Sequence, residues 1–418
     1  MQEYKIPWGQ WHEQGTRTLR FPDDWEVHFC AMPAQPTLTA EQIIEKLDTP
    51  IGTEKLEKLA KGKKSACIII DDISRPTRGD ILLPPVIEKL TASGMDYSQI
   101  KILVALGGHR PMTKQEMRTK VGDWVLERVR VINHNPFADD LVNVADDRQI
   151  IKINRHYMEA ELKIAVGCIV PHTLAGFSGG AKAVIPGIGG IETLHSNHTL
   201  VFEDKSKGTE FKNSTCDPDN PMRQNMEEIV GKVGLDFIVN AVLNPEMQVG
   251  DLCCGHFIKA HRAACEKAKE ALKTKLIRSA DIVVTSAFPK DTEFFQVGTA
   301  TAALGQYKKD CVKPEGSLVM MTASSEGAGF HYLFGPGMDL YTPQDNNVPP
   351  AEIAGVDTMI YSDGITKVDV RELFDGDIPE IYSDWNDIIH RLMKKYEGKK
   401  PVVAIYPMAA IQIGCMEE

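Results

Sequence analysis

The sequence lacks several features that mark familiar classes of protein. It has nine cysteines but no CxxC pair, no apolar stretch near the ~20 residues that span a bilayer, and no long basic run. The formal net charge of −11 argues against binding to a nucleic-acid backbone. The N-terminus, MQEYKIPWGQ, does not show the basic start and apolar stretch of a secretory signal. We therefore expect a cytoplasmic chain with reduced thiols that binds neither membranes nor nucleic acid.

Two common site motifs are also missing. No GxGxxG follows a predicted strand, which disfavours a nicotinamide-binding domain. The glycine-rich segment Gly176–Lys182 differs from a phosphate-binding GxxxxGK[ST] loop, because alanines flank Lys182 on both sides. A zinc hydrolase using His109, His172 and His198 stays open as an alternative, but no HExxH supports it.

Short apolar runs, apolar at nearly every position, alternate with helical patterns along the 418 residues. Such runs are typical of strands buried on both faces. We predict an α/β fold of two domains with mostly parallel sheets, and an active site in the cleft between them. The domains are expected at residues 1–270 and 271–418. The runs predicted as strands are Cys67–Ile70, Ile102–Leu106, Leu162–Val170, Ile282–Thr285, Leu318–Met321 and Val402–Tyr406.

Three segments between these runs have helical patterns: Leu82–Leu90, Lys114–Val129 and His256–Lys275. The last is rich in Ala, Lys and Glu and lies at the expected domain boundary. The segment Gly335–Pro350 is rich in Pro, Gly and Asn, and we interpret it as a long loop.

Polar side chains follow several predicted strands at the point where each strand ends. Asp72 and Arg75 follow the first run, His109 follows a Gly-Gly pair after the second, and His172 follows the third. Functional groups in open α/β folds lie beyond the carboxyl ends of strands, so these side chains are expected to line one crevice. An isolated histidine is more often structural than catalytic, and Asp72 with Arg75 could also be a simple ion pair at a helix start.

The densest segment is PHTLAGFSGGAKAVIPGIGGIETLHSNH at 171–198, with six glycines, one lysine and three histidines. Glycines allow a ligand to approach the backbone closely. His195 and His198 are three residues apart, so they could share one helical face as a metal pair. Lys182 could equally be a plain counter-charge for a phosphate. The residues alone predict an anion-binding α/β enzyme with several histidines.

The longer motifs resemble a known family. DDISRP at 71–76, GGHRPMT at 107–113 and PHTLAGFSGGAKAVIPG at 171–187, followed by His198, resemble the nickel-dependent lactate racemase family. The match extends over nearly the whole chain and includes FPKDTEFFQ at 288–296. The resemblance implies a racemase or epimerase that inverts the C2 centre of a 2-hydroxy acid by hydride transfer to its cofactor.

The cofactor that the resemblance implies is a nickel pincer nucleotide. This pyridinium mononucleotide clamps nickel through sulfur, carbon and sulfur, and its arm would be joined to Lys182 as a thioamide. His198 would be the remaining nickel ligand, and the enzymes that build the cofactor would be partners of the chain. The segment implied to contact the cofactor consists of Asp72, Ile73, Ser74 and Arg75.

The same resemblance implies roles for the other polar groups. His109 and His172 match the paired acid/base histidines, a role that suits imidazole because its pKa lies near neutrality. Arg75 would hold the substrate carboxylate in a bidentate contact. Gln296 matches a glutamine near the substrate.

Two departures from the family concern the substrate. Lactate racemases have a YQxxK arrangement, whereas this chain has Phe295-Gln296-Val297-Gly298-Thr299, so the tyrosine and the lysine are replaced. A tryptophan expected over the cofactor is not recognisable near Gly335–Pro350. We therefore expect a larger or polyhydroxylated acid, such as an aldonate, as the substrate. Lactate racemase proper, or a non-catalytic protein that binds a nucleotide or sugar acid, are the alternatives.

Overall fold

The structure is a computed structural model that describes residues 1–13, 15–203, 220–335, 337–340, 355–371 and 378–416. Most of the predicted loop Gly335–Pro350, and Cys216, lie outside these residues. Contacts divide the chain into two compact units. We call Ala34–Ala271 the central unit, and Met1–Pro33 with Leu272–Glu418 the terminal unit.

The described residues form the following strands, in chain order: β1 (Gln2–Trp8), β2 (Gly15–Phe21), β3 (Glu26–Phe29), β4 (Ala66–Asp71), β5 (Ile100–Ala105), β6 (Arg130–Asn133), β7 (Val142–Val144), β8 (Ile151–Ile153), β9 (Leu162–Cys168), β10 (Pro171–His172), β11 (Gly176–Phe177), β12 (Phe237–Leu243), β13 (Val249–Gly255), β14 (Lys273–Lys275), β15 (Ala280–Ser286), β16 (Val312–Met321), β17 (Asp357–Tyr361), β18 (Glu380–Tyr382), β19 (Val402–Tyr406) and β20 (Ile413–Cys415). The α-helices are α1 (Ala40–Asp48), α2 (Leu56–Ala60), α3 (Gly79–Ala92), α4 (Lys114–Val121), α5 (Asp123–Leu126), α6 (Arg155–Met158), α7 (Ile191–Glu203), α8 (Pro221–Val233), α9 (Lys259–Ala271), α10 (Lys308–Cys311) and α11 (Trp385–Lys395). Short 3₁₀ helices cover Tyr97–Gln99, Gly180–Ala183 and Phe294–Tyr307. None of the helices in the described ranges is long and apolar enough to cross a membrane.

The central unit contains a six-stranded sheet in the order β13-β12-β9-β4-β5-β6. All neighbours in it are parallel except β12 and β13. The β4 residues Cys67–Ile70 are fully buried, because both faces of the sheet are covered. This burial explains why the strand sequence is a continuous apolar run and does not alternate.

The terminal unit contains a second six-stranded sheet, in the order β18-β17-β16-β15-β19-β3. Every neighbouring pair in it is parallel. The predicted α/β fold with mostly parallel sheets is therefore confirmed.

The terminal unit also includes the N-terminus of the chain, which the sequence had placed in a domain of residues 1–270. β3 pairs with β19 at the edge of the terminal sheet, and β1 and β2 form an antiparallel hairpin. Apolar side chains of this hairpin, such as Ile6 and Phe21, belong to the same core cluster as Ile282 and Val403. The first 33 residues therefore pack with the C-terminal part of the chain, and the unit is discontinuous in sequence.

Candidate active site

The order of the central strands creates a switch point beside β4. From β4 the chain continues to β5 and β6 on one side, whereas β9 and β12 lie on the other side. Ligands of open α/β sheets bind beyond the carboxyl ends of strands at such a point. Asp72 follows β4, His109 follows β5, and His172 follows β9, so the three exits are those of adjacent parallel strands.

The buried Asp72 and the half-buried His109 form a hydrogen-bonded pair. The Asp72 side chain is 6% exposed, and its Oδ2 lies 2.7 Å from Nδ1 of His109. The other carboxylate oxygen accepts the backbone N–H of Ser74 at 2.8 Å and also the Ser74 hydroxyl. A carboxylate can only accept, so Nδ1 of His109 donates and Nε2 is its basic nitrogen. This is how a carboxylate orients a general base in hydrolytic triads.

The charge state of Asp72 is set by its neighbours. Burial by itself would raise the pKa of this carboxyl group. The charge and hydrogen bond of His109, the charge of Arg75 and the Ser74 hydrogen bond outweigh burial and hold the pKa well below its usual range. Asp72 is therefore an anion at neutral pH, and Arg75 contributes positive charge beside it.

A buried lysine holds the backbone at Arg75 by a hydrogen bond. Lys120, at the end of α4, is fully buried, and its Nζ donates to the Arg75 carbonyl at 2.6 Å. The same Nζ lies 2.6 Å from Oδ1 of Asp71, and Thr77 donates to Oδ2 of Asp71 at 2.5 Å. This network holds the turn that carries Asp72 and Arg75.

His172 has the opposite tautomer to His109. It lies in β10, and its Nδ1 accepts the backbone N–H groups of Leu174 and Ala175, each at 3.2 Å. Because Nδ1 accepts, the proton of the neutral ring is on Nε2. The ring is therefore a donor at Nε2, whereas His109 is an acceptor there.

Lys182 lies in a compact loop between β11 and α7. The 3₁₀ helix Gly180–Ala183 carries it, and its backbone N–H donates to Gly179 O at 3.2 Å. The loop is joined to the exit of β5, where Gly107 N donates to Gly187 O at 3.1 Å. The residues after β5 and the lysine loop therefore meet at the same edge of the sheet.

His198 is buried in α7, and its Nδ1 lies 2.8 Å from the carbonyl oxygen of Leu194. Burial lowers the pKa of His198 to about 4, and the nearby charges of Lys182 and His109 act in the same direction. The ring is therefore neutral at pH 7, with its lone pair on Nε2. A neutral imidazole whose other nitrogen is bound to a backbone carbonyl is the form that ligates metals.

The remaining predicted residues are placed as follows. Ile73 lies half-exposed in the turn between Asp72 and Ser74. His195 is half-exposed one turn before the buried His198, so the two rings have different environments. Gln296 belongs to the terminal unit, in the 3₁₀ helix Phe294–Tyr307.

The three histidines of the zinc alternative do not form a metal site by themselves. Among the described residues, no three His, Cys, Asp or Glu side chains are grouped as a metal ion would require. Each ring has its own hydrogen-bond partner: Asp72 for His109, backbone N–H groups for His172, and the Leu194 carbonyl for His198.

Sequence reasoning missed the residues behind the lysine loop. Arg223 in α8, Asn240 in β12 and His261 in α9 are buried and hydrogen-bonded to the loop backbone. They belong to no motif. The sequence signal for them was indirect and consists of the adjacent glycines at 179 and 180. In the structure, a Cβ at Gly180 would lie 2.8 Å from the His261 ring, and one at Gly179 would lie 2.5 Å from Ile169 and 2.8 Å from Oδ1 of Asn240.

Comparison with known proteins gives consistent matches. The family described as "Lactate racemase N-terminal domain" matches residues 12–210. A lactate racemase from Thermoanaerobacterium thermosaccharolyticum is 31% identical over 318 residues, which cover 74% of this chain and 71% of the relative. A lactate racemase from Lactiplantibacillus plantarum is 31% identical over 316 residues, covering 71% of this chain and 69% of the relative.

Solved structures have the same fold. The lactate racemase apoprotein from Thermoanaerobacterium thermosaccharolyticum superposes with a TM-score of 0.76 at 24% identity, covering 99% of this chain and 100% of that chain. A protein from Thermotoga maritima superposes with a TM-score of 0.64 at 19% identity, covering 92% of this chain and 100% of that chain.

Proposed function

The chain belongs to the lactate racemase family, and we propose that it inverts the C2 centre of a 2-hydroxy acid with a nickel pincer nucleotide as cofactor. A racemase activity is what its characterised relatives have in common. The observation that carries the proposal is the pair of histidines with opposite tautomers beyond β5 and β9, the two strands that flank β4. A cytoplasmic location is part of the proposal, and it agrees with the lack of disulfide bonds among the described cysteines.

The two histidines have the protonation states that a stereoinversion needs. His109 has a basic Nε2 because Asp72 holds its Nδ1–H, so it can take the proton of the substrate hydroxyl. His172 has its proton on Nε2 because Nδ1 accepts two backbone N–H groups, so it can return a proton. Arg75, beside Asp72, would hold the substrate carboxylate. The bound cofactor would supply the acceptor and donor of hydride.

The residues of the lysine loop fit the proposed cofactor. The basic Nε2 of the buried, neutral His198 suits a nickel ligand, and the charge of Lys182 is felt at His198. The positive φ angles of Gly179 and Gly180, +75° and +57°, are ones that L side chains rarely adopt, and they let the backbone form the compact turn that carries Lys182. We propose that Lys182 forms the covalent link and that His198 ligates the metal.

We propose a larger or polyhydroxylated acid as the substrate, in preference to lactate. The Phe295 ring, beside Gln296, stacks against His331 and Phe334 with ring centroids 5.9 and 6.3 Å away. No ammonium group follows Gln296 at the position of the family lysine, since Thr299 is there. The Gln296 amide offers both a donor and an acceptor, which suits a neutral hydroxyl better than a charge.

The test is to produce the chain together with cofactor-biosynthesis enzymes and to measure intact mass, metal content and turnover of enantiopure acids. We expect added mass that maps to Lys182, nickel in place of zinc, and faster inversion of aldonates than of lactate. Lys182→Ala should lose mass and activity together, whereas the exposed-lysine control Lys114→Ala should keep both.

Further variants separate the roles. His109→Ala and His172→Ala should lose activity but keep the added mass. A fully matured sample with neither nickel nor added mass would refute the cofactor assignment. Binding of a sugar acid without turnover in a loaded sample would favour the non-catalytic alternative, and lactate as the fastest substrate would refute the substrate assignment.

A further inference from the structure

Three buried side chains from α8 and α9 hold the backbone that precedes Lys182. Asn220, the N-cap of α8, donates to Leu174 O at 2.9 Å. Arg223, in the first turn of α8, donates to Ala175 O at 3.1 Å, to Phe177 O, and to Gly179 O at 3.3 Å. His261 in α9 lies 2.9 Å from Ser178 O through its Nε2. Five carbonyls between residues 174 and 179 therefore accept from three side chains.

The N–H groups of the same segment have partners as well. Gly180 N donates to Oδ1 of Asn240 at 3.0 Å. Ser178 N donates to Val170 O at 3.0 Å, and the Ser178 hydroxyl donates to Cys168 O at 2.6 Å, at the end of β9. The segment is thus anchored to the sheet on one side and to α8 and α9 on the other.

The protonation of His261 is fixed by its surroundings. Ser178 O can only accept, and Nη1 of Arg262, which can only donate, lies 2.9 Å from Nδ1. Burial and the charge of Arg223 lower the pKa of His261 well below its usual value. His261 is therefore a neutral ring with Nε2–H, and the guanidinium of Arg223 is the charged donor to the loop.

The link from Arg223 to Lys182 is short. Gly179 O accepts both Nη1 of Arg223 and the backbone N–H of Lys182, at 3.3 and 3.2 Å. Arg223 is 3% exposed, so these bonds are made away from bulk water, where hydrogen bonds to a charged donor are strong. Movement of this guanidinium would release three carbonyls at once.

We propose that Arg223 is a positioning residue for Lys182: with His261 and Asn240 as supports, it fixes the 174–180 backbone so that the lysine is presented in one orientation to the cofactor. The presentation of Lys182 to a cofactor rests on the proposed function, whereas the fixing of the 174–180 backbone by Arg223 does not. It also explains the glycines. Side chains at positions 179 and 180 would occupy the space that Asn240 and His261 fill, because an added Cβ would lie within 3 Å of each.

The first experiment measures the loop itself in cofactor-free protein by hydrogen exchange. Arg223→Met should raise the exchange rate of a peptide spanning residues 174–182 roughly tenfold or more, because the loss of bonds to three carbonyls lets the segment open and exposes N–H groups such as those of Ser178 and Gly180. A peptide from β4 should be unchanged. Arg148→Met is the control, since Arg148 pairs with Asp146 and with Glu228 of α8, and neither partner is one of the side chains that hold the loop. Equal exchange in the two variants would overturn the proposal.

The second experiment measures the consequence for Lys182. After maturation with the cofactor enzymes, Arg223→Met should carry at least tenfold less added mass at Lys182 than Arg148→Met. Arg223→Lys, which keeps the charge but has a single donor group, should recover part of the yield. Full yield in Arg223→Met would refute the proposal, because it would show that the bonds from Arg223 to the loop carbonyls are not needed to position Lys182.

A third pair of variants keeps the test decisive if Arg223→Met does not fold. His261→Gln retains an N–H that can reach Ser178 O, whereas His261→Leu does not, and only the second should raise loop exchange. Absence of added mass in the wild-type protein would refute the proposed function. The exchange data would still decide whether Arg223 holds the 174–180 backbone.

Discussion

Replacing Asp72 by asparagine should invert the tautomer of His109 while leaving the shape of the site nearly unchanged. Asp72 Oδ1 accepts two donors from Ser74, the backbone N–H and the hydroxyl, whereas Oδ2 accepts one from His109. An asparagine has one oxygen and one NH₂ group to distribute between these positions. Two donors outweigh one, so the oxygen should face Ser74 and the NH₂ group should face the imidazole.

The consequence for His109 follows from hydrogen-bond polarity. An NH₂ group facing Nδ1 requires that nitrogen to accept, so the ring proton moves to Nε2 and the basic position is lost. Rotating the amide back would set two donors against each other, at about 1–3 kcal/mol for each unsatisfied group. The Asp72 charge that would stabilise an imidazolium is lost as well. We expect kcat to fall by about 10²–10⁴, the range for a general base or its orienting carboxylate.

Two assays check this prediction independently. Nitrogen-15 chemical shifts of His109 in cofactor-free protein should report Nδ1–H in the wild type and Nε2–H in Asp72→Asn. Chiral chromatography of the loaded enzyme gives the rate. Glu116→Gln is the control, because it removes a carboxylate that pairs with Arg110, beside His109, without touching the imidazole. An Asp72→Asn variant that kept Nδ1–H and a rate within about threefold of wild type would refute the reasoning.

Three further predictions concern stability. Lys120→Met should lower the free energy of unfolding by roughly 3 kcal/mol in a denaturant titration. This value is at the lower end for a broken buried ion pair, because Asp71 keeps some contact with water. An unchanged midpoint would contradict the prediction. Gly180→Ala should destabilise the protein by about 1–3 kcal/mol, because φ at this residue is +57° and the added Cβ would lie 2.8 Å from His261. Gly231 lies inside α8, and an added Cβ there would meet no atom within 4 Å. Gly231→Ala should therefore stabilise the protein by about 0.5–1 kcal/mol. Burial lowers the pKa of His134 to about 4 from 6.5. Its neutral form therefore contributes stability that is complete above pH 6.5 and is lost as the pH falls towards 4. The total loss is roughly 3 kcal/mol. His134→Gln should flatten the stability profile in that window, and a profile as steep as that of the wild type would count against the assignment.

The sheets were predictable because their strands are continuous apolar runs. The segments at Cys67–Ile70 and Ile102–Leu106 lie in or end beside β4 and β5, and similar runs became β9, β15, β16 and β19. Helix ends were harder to predict. The pattern at Lys114–Val129 is interrupted by Gly122, whose φ of +81° ends α4, and the last residues of His256–Lys275 form β14 because they pair with β20.

The order of the strands was not predictable from local pattern. Nothing in the sequence of β3 indicates that it pairs with β19, nearly four hundred residues later, because only tertiary contacts decide which edge a short strand joins. For the same reason, a boundary drawn from composition near residue 270 missed the return of residues 1–33 to the terminal unit.

The histidines show why site residues could be predicted only in part. His109 and His172 were predictable because they follow strands beside Gly or Pro, where side chains reach the crevice. His261 lies inside a helix with an ordinary amphipathic sequence, yet it is as buried as any of them and is bonded to the lysine loop. Its partner in that contact is a backbone carbonyl more than eighty residues away, which no spacing rule can identify.

The glycines at 179 and 180 therefore indicated a close approach to the backbone without identifying the atoms that make it. From the sequence they indicated that something approaches the backbone closely, and a ligand was the natural candidate. The structure assigns that space to Ile169, Asn240 and His261, whose atoms an added Cβ would meet within 3 Å. The buried side of this loop is thus occupied by protein, and the glycines are needed there for packing. If a cofactor is bound, the contact must be made by the opposite side, so Gly179 and Gly180 variants should first lose the fold of the loop and, only as a consequence, the added mass at Lys182.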